Sequence, residues 1–402
     1  MKVLVLNAGS SSIKFQLFEI AGWSVIASGN LSRIGEADAL FTFRWQDANG
    51  QAQQLDEQQP LPTHHDALER MVAQLHATGA LTDLSELKAV GHRVVHGGEA
   101  FHQPTLIDDD VIAAIRQVIP LAPLHNPAHL DGILVARELF PGVSQVAVFD
   151  TAFHQTMPRT AYRYAIPDYL YREHQVRRYG FHGTSHAYVG QRAATMLGRS
   201  FDRTHLITLH LGNGASATAI RNGSSVDTSM GMTPLEGLVM GTRCGDIDPA
   251  VLLYLMQHLE MDHAQIDQLL NRHSGLLGLC GVNDMREIHR RIEQGDTKAE
   301  LALGIFCQRL KKYIGAYTAV LGEVHALVFT GGIGENDAET RARTCAGLER
   351  LGIVLDETAN RSHAPGERLI SHADSPIKVL VIPTNEELEI ARQTFEAVGA
   401  RL

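Results

Sequence analysis

Apolar residues along this chain recur in two periods, and the two alternate from end to end. Val3–Leu6 is a short unbroken apolar run, and Ile13, Phe15 and Leu17 alternate with polar neighbours over Ile13–Phe18. Both patterns predict strands. Between them lies the polar turn Asn7-Ala8-Gly9-Ser10-Ser11-Ser12. Further strands are predicted over Ser24–Gly29, Leu40–Trp45, Ala89–Val95 and Gln145–Phe149, and helices over His65–Ala77, Asp108–Val118 and Pro127–Leu139. Strands first, then alternating helix and strand, predict a mixed sheet with helices on its faces.

The second half restarts in the same way. His205–Leu211 reads as a strand, Gly212-Asn213-Gly214-Ala215 as a turn and Ser216–Ile220 as the returning strand. Gly9 and Gly212 lie about half a chain apart, so the two strand–turn–strand units predict an internal duplication. Helices follow over Pro249–Leu259, Ala264–Arg272 and Lys298–Leu321. The strand Ala326–Thr330 runs into Gly331-Gly332-Ile333-Gly334, and Lys378–Ile382 is a last strand before a helix from Asn385.

A chain of 402 residues exceeds one ordinary core and suits two domains. Its 35 basic and 45 acidic residues give a net charge of −10, which disfavours non-specific nucleic-acid binding. No apolar run reaches the roughly 18 residues of a membrane helix, and Asn7 interrupts the opening run too early for a signal peptide. A cytoplasmic chain with no membrane or nucleic-acid partner is therefore expected. Cys244, Cys280, Cys307 and Cys345 are scattered without CxxC spacing and read as reduced thiols rather than a disulfide framework or zinc ribbon.

The common NTPase loop, the GxGxxG dinucleotide turn, the kinase HRD and DFG signatures, HExxH and GxSxG are all missing from the sequence. Three glycine-rich turns remain, each after a strand: Gly9-Ser10-Ser11-Ser12, Gly212-Asn213-Gly214 and Gly331-Gly332-Ile333-Gly334. Glycine lets backbone N–H groups close on an anion, and serine hydroxyls add donors. With Lys14 just past the first turn, phosphate binding is the expectation, although each turn alone reads equally as a tight connection. Arg93, His125, His182 and Arg243 sit in segments rich in glycine or proline that read as loops or strand ends, where functional side chains are displayed. Asp150 ends an apolar strand, where open α/β sheets bind ligands.

Two other classes stay open on the residues alone. The i,i+4 pairs His92/His96, His125/His129 and His182/His186 could serve a zinc hydrolase, but His92 and His96 fall on a predicted strand and no carboxylates accompany any pair. A non-catalytic ATP-gated module would need the phosphate turns but not the four loop-borne cations. The remaining histidines read as surface residues.

Asn7-Ala8-Gly9-Ser10-Ser11-Ser12-Ile13-Lys14-Phe15 and Gly180-Phe181-His182-Gly183-Thr184-Ser185-His186 resemble the two signatures of the acetate kinase family of carboxylate kinases. So do His210–Gly214, Met230–Gly237, Phe329–Asn336 and Pro383–Glu387, in the family's order and over essentially the whole chain. The resemblance implies an α/β, duplicated ribonuclease-H-like fold of the acetate and sugar kinase, actin and heat-shock ATPase superfamily, with an interdomain cleft. It implies a first domain of residues 1–150 rejoined by a returning helix, 385–402, and a nucleotide-binding domain of residues 151–384. The family acts as a homodimer.

The implied reaction is reversible phosphoryl transfer from ATP to acetate, giving acetyl phosphate and ADP, with Mg²⁺ or in its place Mn²⁺. Propionate is the alternative acceptor. The resemblance casts Asp150, His182 and Arg243 as catalytic, with Arg93 and His125 binding substrate and phosphoryl group. Val95, Leu124, Phe181 and Pro234 match the family's methyl pocket. Ser12, Lys14, His210, Leu211, Gly212, Asn213, Gly214, Asp284, Met285, Arg286, Gly331, Gly332, Ile333, Gly334 and Glu335 match its ATP contacts, and Asn7 and Glu386 its metal site. Cys244 stands where relatives carry serine, which raises the question of thiol sensitivity beside Arg243. His273 stands where an acidic residue is common.

Overall fold

The computed structural model describes residues 1–47, 49–123 and 125–399. They form two compact units, Met1–Ala152 together with the C-terminal stretch from Asn385, and Phe153–Thr384.

The first unit is built on strands β1 (Lys2–Gly9), β2 (Ser12–Glu19), β3 (Ser24–Ser32), β4 (Ala39–Gln46), β5 (Ala52–Gln59), β6 (Leu87–Val94), β7 (Thr105–Leu106) and β8 (Ser144–Phe149). They lie in the order β5-β4-β3-β2-β1-β6-β8-β7. Strands β1 to β5 pair antiparallel, β1, β6 and β8 pair parallel, and β7 closes the edge antiparallel. The unbroken run in β1 has its cause here: as a central strand it is covered on both faces. Leu4 and Leu6 pack with Leu68, Met71 and Ala136 of the helices His64–Ala77 and Asn126–Leu139. Val3 and Val5 pack with Ile390 and Ala391 of the C-terminal helix Glu386–Gly399.

The second unit repeats the plan with β9 (His205–Leu211), β10 (Ala215–Arg221), β11 (Ser224–Thr228), β12 (Ala326–Thr330), β13 (Arg368–Leu369) and β14 (Lys378–Val381). Their order is β11-β10-β9-β12-β14-β13. Here too the first three strands are antiparallel, the next two join in parallel, and a short antiparallel strand ends the sheet. This order matches β3-β2-β1-β6-β8-β7, so the duplication seen in the sequence is a duplication of sheet topology. The first turns of the two copies differ by one residue, since Gly9 pairs with Ser12 but Leu211 with Ala215.

Three expectations are corrected. The strand β5 was not predicted, because Ala52–Gln59 is a polar edge strand with no buried residue; edges carry little hydrophobic signal. The loop expected over Tyr179–His186 ends at His182, and Gly183–Met196 is a helix. Its buried residues are Gly183, Thr184, Ser185, His186, Ala187, Val189, Gly190, Ala193 and Ala194, of which Val189 alone is a large apolar residue, so the apolar period is faint. The unassigned histidines are mostly at or near the surface, with five exceptions: His92, His96, His129, His154 and His186 are buried.

Among the described residues no helix is long and apolar enough to cross a membrane, and all four cysteines are free thiols.

Candidate active site

In the first unit the parallel strands β6 and β8 end side by side, and they deliver Arg93 and Asp150. Arg93 lies on β6, and Asp150 directly follows β8, its N–H bonded to the Val94 carbonyl. The guanidinium donates to the Asp150 carboxylate through Nε at 3.1 and 3.2 Å and through Nη2 at 2.7 Å. Asp150 is almost wholly buried, whereas the Arg93 side chain keeps about a fifth of its surface open. Burial alone would lower the Arg93 pKa, but Asp150, Glu386 and Glu387 outweigh it and hold the group above its usual value.

Glu386 opens the C-terminal helix beside this pair. Burial, reinforced by Asp150 and Glu387 and opposed by Arg93 and Lys14, pushes its carboxyl up to about 7. The charges of Asp150 and Glu387 that help raise the Glu386 pKa are ones a divalent cation would offset. Asn7, at the outer end of β1, pairs across the hairpin with Lys14 on β2, and Ser12 faces Gly9 at its turn. One carboxylate and one amide oxygen suit Mg²⁺, which takes few protein ligands and keeps water. Among the described residues no three His, Cys, Asp or Glu side chains gather as a metal cluster.

The backbone after Arg93 is held by the helix Asn126–Leu139. Val95 N–H donates to His129 Nδ1 at 3.3 Å, and the Asn126 amide bonds both the N–H and the carbonyl of His96, at 3.2 and 2.9 Å. The asparagine thus extends the edge of β6 by imitating a strand. His125 occupies the N-cap position of this helix without a side-chain capping bond. Leu124 lies outside the described residues. Burial first, then the nearby charges of Arg93, His125 and His92, holds His129 down to about 3.

In the second unit His182 and Arg243 converge on one glycine. A Cβ at Gly214 would lie 3.4 Å from Arg243 Nη1 and 3.7 Å from His182 Nε2. His182 adopts a left-handed backbone, φ 56°, at the start of the helix Gly183–Met196, a strained conformation that recurs at functional sites. The His210 ring stacks on it at 4.3 Å. The described hydrogen bonds of Arg243 go to neutral groups, the Pro234 carbonyl at 3.2 Å and Met240 Sδ at 3.8 Å. Burial and then Arg272 lower its pKa. Phe181 is buried, and its carbonyl accepts from His154 Nε2 at 2.9 Å.

The loop that carries Pro234 and Arg243 is anchored by polar groups the sequence did not single out. Arg178 Nη1 donates to the carbonyls of Thr228, Ser229 and Met230, at 2.7, 3.1 and 3.2 Å, and its Nη2 to Glu236. Tyr164 donates to Glu236 and accepts from Met232 N–H.

A cavity of about 390 Å³ in the same unit is lined by Asp284, Met285, Arg286, Gly332 and Ile333, with His289, Asn336 and Asp337. Asp284 caps the helix Met285–Glu293 and pairs with Arg286 on the open surface. Gly331 has φ 76°, and a Cβ there would meet the Leu211 carbonyl at 2.8 Å, so only glycine lets this turn press on the end of β9. Glu335 accepts from Gly331 and Thr384 N–H; its carboxylate braces the turn. Gly241 N–H donates to the Asn213 carbonyl, and Gly212 N–H to the Gly214 carbonyl. His289, Asn336 and Asp337 are wall residues the sequence analysis missed; for His289, one turn beyond Met285, a period of four could have found it. Cys244 bonds the Gly245 carbonyl, and burial pushes its thiol up, which disfavours the reactive thiolate.

A duplicated sheet of this order, carrying glycine turns and a converging arginine and histidine, defines the ribonuclease-H-like kinase class. The acetokinase family model matches residues 2–392, and the chain belongs to that family. It is 52% identical to an acetate kinase of Syntrophobacter fumaroxidans, over 99% of this chain and 97% of that one. The solved acetate kinase of Porphyromonas gingivalis superposes with a TM-score of 0.92 at 46% identity, covering 99% of both chains. A propionate kinase from Francisella tularensis gives the same TM-score at 42% identity, covering 98% of this chain and 99% of that one.

Proposed function

We propose that this chain transfers the γ-phosphoryl group of ATP to acetate, reversibly and with Mg²⁺, giving acetyl phosphate and ADP. The observation that carries this reading is the Arg93–Asp150 pair. A sugar hydroxyl must lose a proton to attack, but a carboxylate is already ionised near pH 7 and needs no base. Asp150 directs its oxygens to the guanidinium rather than to a substrate proton, so it orients Arg93. Arg93 in turn holds the acetate against an approaching triphosphate.

An acetate oxygen attacks the γ-phosphorus, the bond from phosphorus to the bridging oxygen breaks, and that oxygen leaves with ADP. Charge spreads over three equatorial oxygens. Arg243 and His182 donate to them, and their shared position beside Gly214 supports this role. His125 contacts the phosphoryl group on the acetate side. The turns at Gly212–Gly214 and Gly331–Gly334 hold the phosphates, and the cavity of Met285, Ile333 and His289 takes the nucleoside. Bound through Asn7 and Glu386, Mg²⁺ would neutralise phosphate charge.

Val95 favours acetate over propionate at the methyl end, but one methylene in an apolar pocket is worth only about 1–3 kcal/mol. A second copy of the chain is the proposed partner. The helix Ala250–His258 is apolar over its first seven residues yet buries none of them, and its Leu253 and Tyr254, with Leu259 at its C-terminal end, stand open; such a patch marks an interface.

The test is to trap acyl phosphate with hydroxylamine in the presence of MgATP, on acetate, propionate and butyrate side by side. The expected result is acyl hydroxamate strongest with acetate. A propionate optimum would keep the mechanism and overturn the Val95 argument. No hydroxamate from any acid would overturn the reading itself.

A further inference from the structure

Behind His182 the core of the second unit holds a line of polar side chains with no part in the reaction as described. His182 Nδ1 lies 2.9 Å from Ser216 Oγ, Ser216 Oγ lies 2.8 Å from His186 Nε2, and His186 Nδ1 lies 2.7 Å from Thr208 Oγ1. Ser216 on β10, His186 on the following helix face and Thr208 on β9 are fully buried. Buried polar groups are costly unless each is satisfied. Four groups joined by three hydrogen bonds can be satisfied in very few ways.

We propose that Ser216 and His186 are positioning residues that fix the ring tautomer of His182, placing its proton on Nε2. The inference rests on the reading that His182 donates to the phosphoryl group, and it follows from counting protons. A phosphoryl oxygen only accepts, so a neutral His182 must carry its proton on Nε2. Its Nδ1 is then bare and needs a donor. That donor is Ser216, which has one hydroxyl proton. Having donated it to His182, Ser216 can only accept from His186, so His186 carries its proton on Nε2. Burial, and next His154 and His210, holds His186 well below the usual histidine pKa, so its ring is neutral and its Nδ1 bare. Thr208 donates to that nitrogen. Each proton along Thr208, His186, Ser216 and His182 points toward Gly214.

Reversing every hydroxyl gives two rivals. One is a neutral His182 protonated on Nδ1, whose bare Nε2 cannot donate to a phosphoryl oxygen and whose detection would overturn the proposal. The other is a cation protonated on both nitrogens. Arg243 already places a positive charge beside Gly214, and a neutral N–H donor there avoids setting two cations together in a buried site.

Nitrogen-15 NMR of the imidazoles in the full-length protein reads the tautomer directly. The expected wild-type state of His182 is neutral with the proton on Nε2, moving toward Nδ1 in Ser216→Ala. The same variant is expected to lower kcat about ten-fold, the worth of one well-placed hydrogen bond, with the KM for acetate and for ATP unchanged. In a His182→Ala background Ser216→Ala should cost nothing further. Thr208→Val, which keeps the volume, removes the far end of the line and should mix the tautomers if Ser216→Ala fails to fold.

A doubly protonated His182, a tautomer indifferent to Ser216, or an equal loss of kcat with and without His182 would each overturn the relay. If the NMR results hold but His182→Ala keeps wild-type kcat, the relay stands and the role of His182 as phosphoryl donor falls.

Discussion

Arg93 and Arg243 are both partly buried guanidiniums, yet their surroundings assign them opposite work. Arg93 has carboxylates about it and so is held in one place before substrate arrives; among the described residues the hydrogen bonds of Arg243 go to neutral groups, which leaves its charge for an anion under the proposed reading. Arg243→Ala is accordingly expected to lower kcat by about 10² or more, as the loss of a transition-state donor does. Arg93→Ala should act mainly on the acetate KM. It also leaves buried Asp150 without its cation, so the melting temperature should fall as well. Steady-state kinetics on both variants, with thermal melts, separate the two roles; near wild-type values for both would remove the site assignment. At Val95, truncation to alanine is expected to shift the ratio of kcat/KM toward propionate by about ten-fold, one methylene's worth of apolar contact. Competition between the two acids measures it directly. These residues were legible because they stand in motifs whose order runs along the whole chain. The buried histidines were not, since nothing in a sequence distinguishes a solvated His from His154, which needs Ser225 and the Phe181 carbonyl, 71 and 27 residues away, to be satisfied.

Elements were legible in proportion to how much apolar surface they bury. Strand β1 and the long helix Thr297–Leu321 announce themselves, because both bury large side chains at regular spacing. The polar edge strand β5 and the small-residue helix Gly183–Met196 do not, although that helix positions both His182 and His186. The helix Met285–Glu293 shows a further coupling. His289 bonds Asp337 at 2.8 Å, and Asp337 caps the helix Ala338–Cys345. That hydrogen bond raises the His289 pKa against the opposing effect of burial. A raised histidine contributes stability that is complete below its unfolded value and lost as pH climbs through the folded one. Hence the gap in melting temperature between wild type and His289→Gln should be wider at about pH 6 than at about pH 8.5, ordinary histidine titrating near 6.5. A gap of equal size at both would mean the pair is not charged.

For the molecule as a whole, the repeated strand order was visible only as two glycine turns half a chain apart. The topology was not, because strand order depends on pairings between residues far apart in sequence. Assembly is testable at this scale: replacing Leu253 and Tyr254 with lysine should convert a dimer to a monomer in sedimentation velocity while leaving the circular dichroism unchanged. If the double variant still sediments as a dimer, the apolar helix is not the interface. The return of the C-terminal helix has a consequence for synthesis. Ile390 and Ala391 cover Val3, Val5, Val146 and Val148, but all of Phe153–Thr384 must be translated before they exist. At about 5–20 residues per second this takes roughly 10–50 seconds. Throughout that interval the nascent first unit shows an uncovered valine face to the cell, which makes it a client for chaperones that bind apolar surface.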